Sequence, residues 1–222
     1  TRNALELARE KAVRAFVFLS SSEIYGDPDA ANIPTSEEYR GFVSCTGPRA
    51  VYDESKRLGE TLTMTYWRLF ETPGKIIRPF NVYGPGQRLD DGRIIPDLMS
   101  AALEQRPLVL YSDGRATRSF CYAMDFVSAL LLLMLSGRSG EAYNAGNDEA
   151  ETSMAGVAEL MSEIAGGLPV EYRVSADPQY LTDNPVRRRP DLTKLRAAVP
   201  WTPRVPLREG LRRTLDSYRG AA

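Results

Sequence analysis

The sequence predicts an α/β protein built on a parallel sheet, and two observations carry that reading. Strand-length apolar runs alternate with helix-length amphipathic ones along the whole chain. The two clearest strand runs, Arg14–Ser20 and Lys75–Phe80, read as buried strands, and each runs straight into a polar motif. In open α/β sheets, the edge at the carboxyl ends of the strands is where ligands bind.

The elements follow in order. Residues 1–12 read as an amphipathic helix with Leu5, Ala8 and Ala12 on one face. Arg14–Ser20 is the first strand and ends in Ser20-Ser21-Ser22-Glu23-Ile24-Tyr25-Gly26. A polar loop leads to a helix that carries Tyr52 and runs to about Phe70. Lys75–Phe80 is the second strand, ending in Asn81-Val82-Tyr83-Gly84-Pro85-Gly86. Helices are expected near Ile94–Glu104, Asp125–Leu135, Ser153–Ala165 and Leu207–Tyr218, and strands near Leu108–Tyr111, Ala142–Ala145 and Val170–Val174. Arg187-Arg188-Arg189-Pro190 reads as a basic turn. No internal repeat or low-complexity segment interrupts the pattern.

Composition narrows the function. With 222 residues, 43% of them hydrophobic, the chain can bury a real core. A net charge of -1 with no long run of either sign leaves no footprint for nucleic acid or an anionic membrane. The longest apolar run, Ala129 to Leu135, is far too short to span a bilayer. No signal-peptide pattern precedes the first helix, and Cys45 and Cys121 are too few for a disulfide framework, so a cytoplasmic setting is expected. There is no histidine, which removes Ser-His-Asp and Cys-His catalysis and most zinc sites. No metal is expected, and acid-base chemistry falls to Tyr, Lys, Cys or carboxylates.

Tyr52 and Lys56 stand four apart, one turn apart on one helix face. A free tyrosine titrates at about 10, and an ammonium a few ångströms away favours the phenolate. Such a pair can take a proton from an alcohol. An isolated Y-x-x-x-K is more often a surface neighbour pair, and the serines after the first strand are as readily a turn. The surroundings decide.

Those surroundings are S-S-S-E-I-Y-G, G-P-R-A-V-Y-D-E-S-K-R, R-P-F-N-V-Y-G-P-G, T-R-S-F-C-Y-A-M-D and R-R-P-D, in that order. Together they resemble the extended short-chain dehydrogenase/reductases that act on nucleotide sugars, most closely the UDP-glucuronate decarboxylases, over essentially the whole chain. The resemblance implies an NAD(P)-binding Rossmann fold with a small α/β substrate-binding domain. Residues 1–84 and 123–147 would form the second half of the Rossmann domain, and 85–122 with 148–222 the substrate domain. NAD is the implied cofactor, a UDP-sugar the implied substrate, and a homodimer the implied assembly. The dimer helices would be Thr1–Ala12 and Lys56–Phe70, with Met64, Trp67 and Leu69 as surplus apolar residues.

Roles carry over position by position. Tyr52 would deprotonate the sugar 4-hydroxyl, with Lys56 supporting it and holding the nicotinamide ribose. Ser21 would hydrogen-bond the same oxygen, and Glu23 would lie near sugar C5. Leu19, Ser20 and Val82 would complete the cofactor contacts. Asn81, Arg118 and Arg188 would bind the diphosphate, and Arg93 would lie near cofactor and substrate. Similar 4,6-dehydratases carry Asp-Glu where this chain has Ser22-Glu23, so the acid for dehydration is missing, and 4-epimerases usually carry a small residue at Glu23. Decarboxylation is therefore expected, with dehydration and epimerisation as alternatives.

One departure matters. The family's G-x-x-G-x-x-G phosphate loop belongs on a strand roughly a hundred residues upstream, and nothing here matches it. The expectation is the later half of the Rossmann domain, without its first βαβ units, showing an open apolar sheet edge. An inactive nucleotide-sugar-binding module is the alternative from a different functional class.

Overall fold

The computed structural model describes residues 1–149, 151–177, 179 and 182–220. Helix α1 (Arg2–Glu10) buries Leu5 and Ala8. Ala12 lies past its end, exposed and at φ 45°, so it leaves the expected apolar face. Strand β1 (Phe16–Leu19) runs into a 3-10 turn (Ser22–Tyr25), and helix α2 (Ala50–Phe70) leads on to strand β2 (Gly74–Pro79). The next elements are β3 (Val82–Tyr83), α3 (Ile94–Leu103), β4 (Leu108–Leu110), β5 (Thr117–Ser119), β6 (Cys121–Tyr122) and α4 (Ala123–Ser136). They are followed by β7 (Ala142–Ala145), β8 (Glu151–Ser153), α5 (Met154–Ile164), β9 (Val170–Tyr172), β10 (Arg187–Arg188), α6 (Thr193–Ala198) and α7 (Leu207–Arg219).

The central sheet is parallel, in the order β1-β2-β7. Its register pairs Phe18 with Ile76 and Leu19 with Ile77, so the two predicted strands are neighbours and end together. Among the described residues β1 pairs only with β2, which leaves its other edge open. Ile77 and Tyr143 from the sheet pack with Ala129 and Leu133 of α4 and with Leu195 and Trp201. A second core joins α3, α5 and α7 through Leu98, Met99, Val157, Met161, Leu211 and Leu215.

Glycine sets how closely α2 approaches the sheet. The helix buries Asp53, Gly59, Thr63 and Tyr66, residues spaced so as to share one face. A Cβ on Gly59 would stand 2.1 Å from the ring of Phe18, so α2 lies on β1 only because that atom is missing. Beneath this contact Arg78 of β2 donates to Glu60 of α2 at 2.6 and 2.9 Å and to the Tyr25 hydroxyl at 2.7 Å. Tyr25 in turn donates to Asn144 of β7 at 2.7 Å, so one buried network ties the 3-10 turn, the helix and two strands together.

Two expectations need correction, and one helix was not expected at all. Arg187–Arg188 is no turn. It pairs parallel with β5, which pairs antiparallel with β8 on its other side. Helix α6 went unread because six residues are too short to establish a helical period. Trp67 is not surplus either, since its indole packs over Gly140, where a Cβ would stand 2.1 Å from Nε1.

Candidate active site

The site lies where β1 and β2 end. Ser21 is extended and caps the 3-10 turn, its hydroxyl oxygen accepting the Glu23 N–H at 3.1 Å. That bond uses an acceptor lone pair and leaves the hydroxyl proton free to donate. Tyr52, on the first turn of α2, is half exposed, and with Ser21, Glu23 and Arg49 it lines one pocket of about 960 Å³. Asn81, Val82, Arg93, Arg118 and Arg188 line the same pocket.

Lys56 stands beside this pocket, at the sheet edge. Its ammonium donates to the Leu19 carbonyl at 2.9 Å and lies 5.6 Å from the centre of the Tyr52 ring. Leu19 is exposed there, while Ser20 is buried with a hydroxyl that has no hydrogen-bond partner. Leu19, Ser20 and Lys56 therefore form a second group, outside the pocket wall.

Glu23 is the most constrained residue of the site. Arg188 grips both of its carboxylate oxygens, and Arg49 Nη2 donates to Oε2 at 2.6 Å. Burial alone would raise its pKa, but Arg188 first and Arg49 second outweigh burial and hold it at about 2. Glu23 is thus a carboxylate throughout the neutral range. Arg188 is almost wholly buried, and its two terminal nitrogens are engaged by Glu23.

Arg118 is buried as well. It donates to the carbonyls of Thr117 and Pro185 at 2.8 and 2.6 Å and to Asn184 Oδ1 at 3.0 Å, which ties the 184–186 segment to β5. Burial, followed by the nearby charge of Arg188, lowers its pKa to about 10, so it remains a cation. Arg93 is exposed and paired with Asp91. Asn81 sits at φ 42°, a left-handed conformation that asparagine tolerates, and its amide reaches the Ser119 carbonyl at 3.5 Å. Burial pushes the Cys121 thiol up to about 12, which leaves it inert.

Two features escaped the sequence reading. Arg49 grips Glu23 across 26 positions, and Asp53 is buried with Oδ1 unpartnered, its carboxyl raised by burial and then by Glu23. Arg49 did leave a signal: it stands three residues before Tyr52, on the same helix face.

A parallel sheet whose strand ends gather serine and tyrosine at a substrate-sized pocket, with a lysine beside it, defines an α/β enzyme fold of the Rossmann type. The chain belongs to the NAD dependent epimerase/dehydratase family, whose model matches residues 1–146. It is 38% identical over 220 residues to UDP-glucuronic acid decarboxylase 1 of Arabidopsis thaliana, covering 99% of this chain and 48% of that protein. Among solved structures it resembles UDP-glucuronic acid 4-epimerase from Bacillus cereus in complex with UDP-glucuronic acid and NAD. There the TM-score is 0.84 and the identity 26%, over 98% of this chain and 65% of that one. It also resembles dTDP-glucose 4,6-dehydratase from Bacillus anthracis in complex with NAD, with a TM-score of 0.83 and 26% identity over 99% and 66%. The chain spans about half the length of the curated relatives it matches.

Proposed function

We propose that this chain carries the catalytic and substrate-binding part of an NAD-dependent nucleotide-sugar decarboxylase that converts UDP-glucuronate to UDP-xylose. The observation that carries this reading is the convergence of Ser21, Tyr52 and an arginine-clamped Glu23 on one pocket. Its likeness to named UDP-glucuronic acid decarboxylases supports the choice of substrate.

Leu19, Ser20, Lys56, Tyr52 and Val82 fit the nicotinamide-ribose end of NAD. Ser20 offers an orphaned hydroxyl, and Lys56 lies at the strand end. The glycine-rich cradle for the pyrophosphate does not occur in this sequence. NAD, when bound, supplies a hydride acceptor at sugar C4.

Tyr52 removes the 4-hydroxyl proton, with the Lys56 ammonium beside its ring. Ser21 donates its free proton to the same oxygen and orients it. Oxidation at C4 makes the sugar a β-keto acid, whose C5–C6 bond breaks to release CO2 and leave an enolate. C5 then takes up a proton, and return of the hydride to C4 gives the pentose. Glu23, held as a carboxylate, orients groups near C5 rather than donating a proton. Asn81 and Arg118 are the diphosphate-side contacts and Arg93 lies near cofactor and substrate, whereas Arg188, also expected at the diphosphate, has both terminal nitrogens engaged by Glu23.

The protein should also form a homodimer through α1 and α2, whose outer faces expose Leu7, Leu69 and Phe70. Sedimentation as a strict monomer at micromolar concentration would count against the dimer.

The decisive experiment incubates the protein with NAD+ and UDP-glucuronate, following CO2 and the sugar product. CO2 with UDP-xylose supports the reading. A C4 epimer that keeps its carboxylate would favour epimerisation instead. Conversion of a nucleotide-linked glucose to a 4-keto-6-deoxy sugar would favour dehydration. Binding without conversion would favour the inactive module.

A further inference from the structure

Glu23 faces two cations, and they are not equivalent. Arg188 is held on strand β10, almost wholly buried, and grips both carboxylate oxygens. Arg49 touches one oxygen, and 36% of its side chain is exposed on the pocket wall. A guanidinium has five N–H donors. Arg49 Nη2 meets Glu23, while its Nε is buried without a partner. The Arg49 backbone is fixed independently of that side chain, because its carbonyl accepts the Tyr52 and Asp53 N–H groups at 3.0 and 3.2 Å and so opens α2.

A sugar carboxylate entering this pocket meets the ionised Glu23, and like charges at close range are disfavoured. Arg188 alone can keep Glu23 in place, with both oxygens bound. Of the two cations on Glu23, that leaves Arg49 as the one available to an incoming anion, three residues from the tyrosine that must meet C4. We propose that Arg49 determines specificity for an acidic sugar, its guanidinium exchanging Glu23 for the carboxylate of the bound glycosyl unit. The inference rests on the nucleotide-sugar reading above and adds a residue and a discrimination to it. The exchange registers the sugar against Tyr52, because Arg49 caps the helix whose first turn carries Tyr52.

The test is binding, read by calorimetry with UDP-glucuronate and UDP-glucose, which differ only in a carboxylate against a hydroxymethyl group. The wild-type chain should prefer UDP-glucuronate. Arg49→Gln should weaken UDP-glucuronate by roughly 10- to 100-fold, as loss of a charge-assisted hydrogen bond does, and move UDP-glucose by no more than about twofold. Arg49→Lys keeps the charge without the fork and should fall between. If Arg49→Gln does not fold, Arg49→Lys must still show the loss confined to the acidic sugar. An equal loss for both ligands, or an unchanged ratio, would overturn the inference while leaving the nucleotide-sugar reading intact. Wild-type protein that binds neither ligand would overturn both.

Discussion

Lys56 donates to the backbone carbonyl of Leu19 at 2.9 Å, across 37 positions of sequence. The bond pins the middle of one helical turn to the end of a strand, and it sets the ammonium 5.6 Å from the Tyr52 ring. Helix and sheet edge are thereby registered at the point where the chemistry is proposed.

Tyr52→Phe should abolish hydride transfer, because no group remains to take the 4-hydroxyl proton. Positioned acid-base groups contribute about 10²–10⁴-fold, so single-turnover formation of reduced cofactor should fall by at least that range. Lys56→Met should lower the same rate while leaving affinity for the UDP-sugar within about twofold, since Lys56 stands outside the pocket wall. A Tyr52→Phe enzyme turning over at the wild-type rate would exclude Tyr52 as the base.

The Glu23 ion pairs predict a particular acid sensitivity. Its folded-state pKa is about 2 against an ordinary 4.5. The folded value is depressed, so its contribution to stability is fully present above about 4.5 and is lost as pH falls towards 2. Glu23→Gln should flatten the stability profile in that window, measured by urea denaturation. It also strands the buried Arg188, so the neutral-pH stability should drop by about 3 kcal/mol. A Glu23→Gln profile parallel to wild type between pH 2 and 4.5 would refute the linkage.

Gly59→Ala should destabilise the protein, against the usual helix preference for alanine. The helical gain is about 1 kcal/mol, but the new Cβ meets the Phe18 ring at 2.1 Å, and overpacking of this kind costs typically 1–3 kcal/mol. The clash also pushes α2 away from β1, so activity should fall more steeply than stability. Phe18→Leu on the same background should recover part of both. An unchanged melting temperature in Gly59→Ala would show that α2 does not depend on this contact.

Arg78→Met should be the most damaging of these substitutions to the fold. It leaves Glu60 as a nearly buried carboxylate and removes a donor from Tyr25. Breaking a buried pair from one side costs about 3–5 kcal/mol, so the thermal midpoint should drop by several degrees at the least. The double variant Arg78→Met/Glu60→Leu should recover much of the loss, because it leaves no lone charge behind.

The order of strands and helices was legible in the sequence because each long element carries its own periodicity. Arg14–Ser20 and Lys75–Phe80 match β1 and β2 to within two residues at either end, and the Tyr52 helix ends at Phe70 as read. Ser21, Tyr52 and Lys56 were legible too, since a strand end and a four-residue helical spacing are local properties. What only the tertiary structure decided is which charges meet. Glu23 finds Arg188 across 165 positions and Arg49 across 26, and no local pattern encodes an ion pair at such distances. Strands of two or three residues, such as β10 and β5, likewise leave no periodicity to read. They form only because their backbone groups find partners once the larger elements have packed. The sequence thus determined the sheet and the spacing of Tyr52 and Lys56, while the fold decided that the glutamate beside them is held as a carboxylate by two arginines.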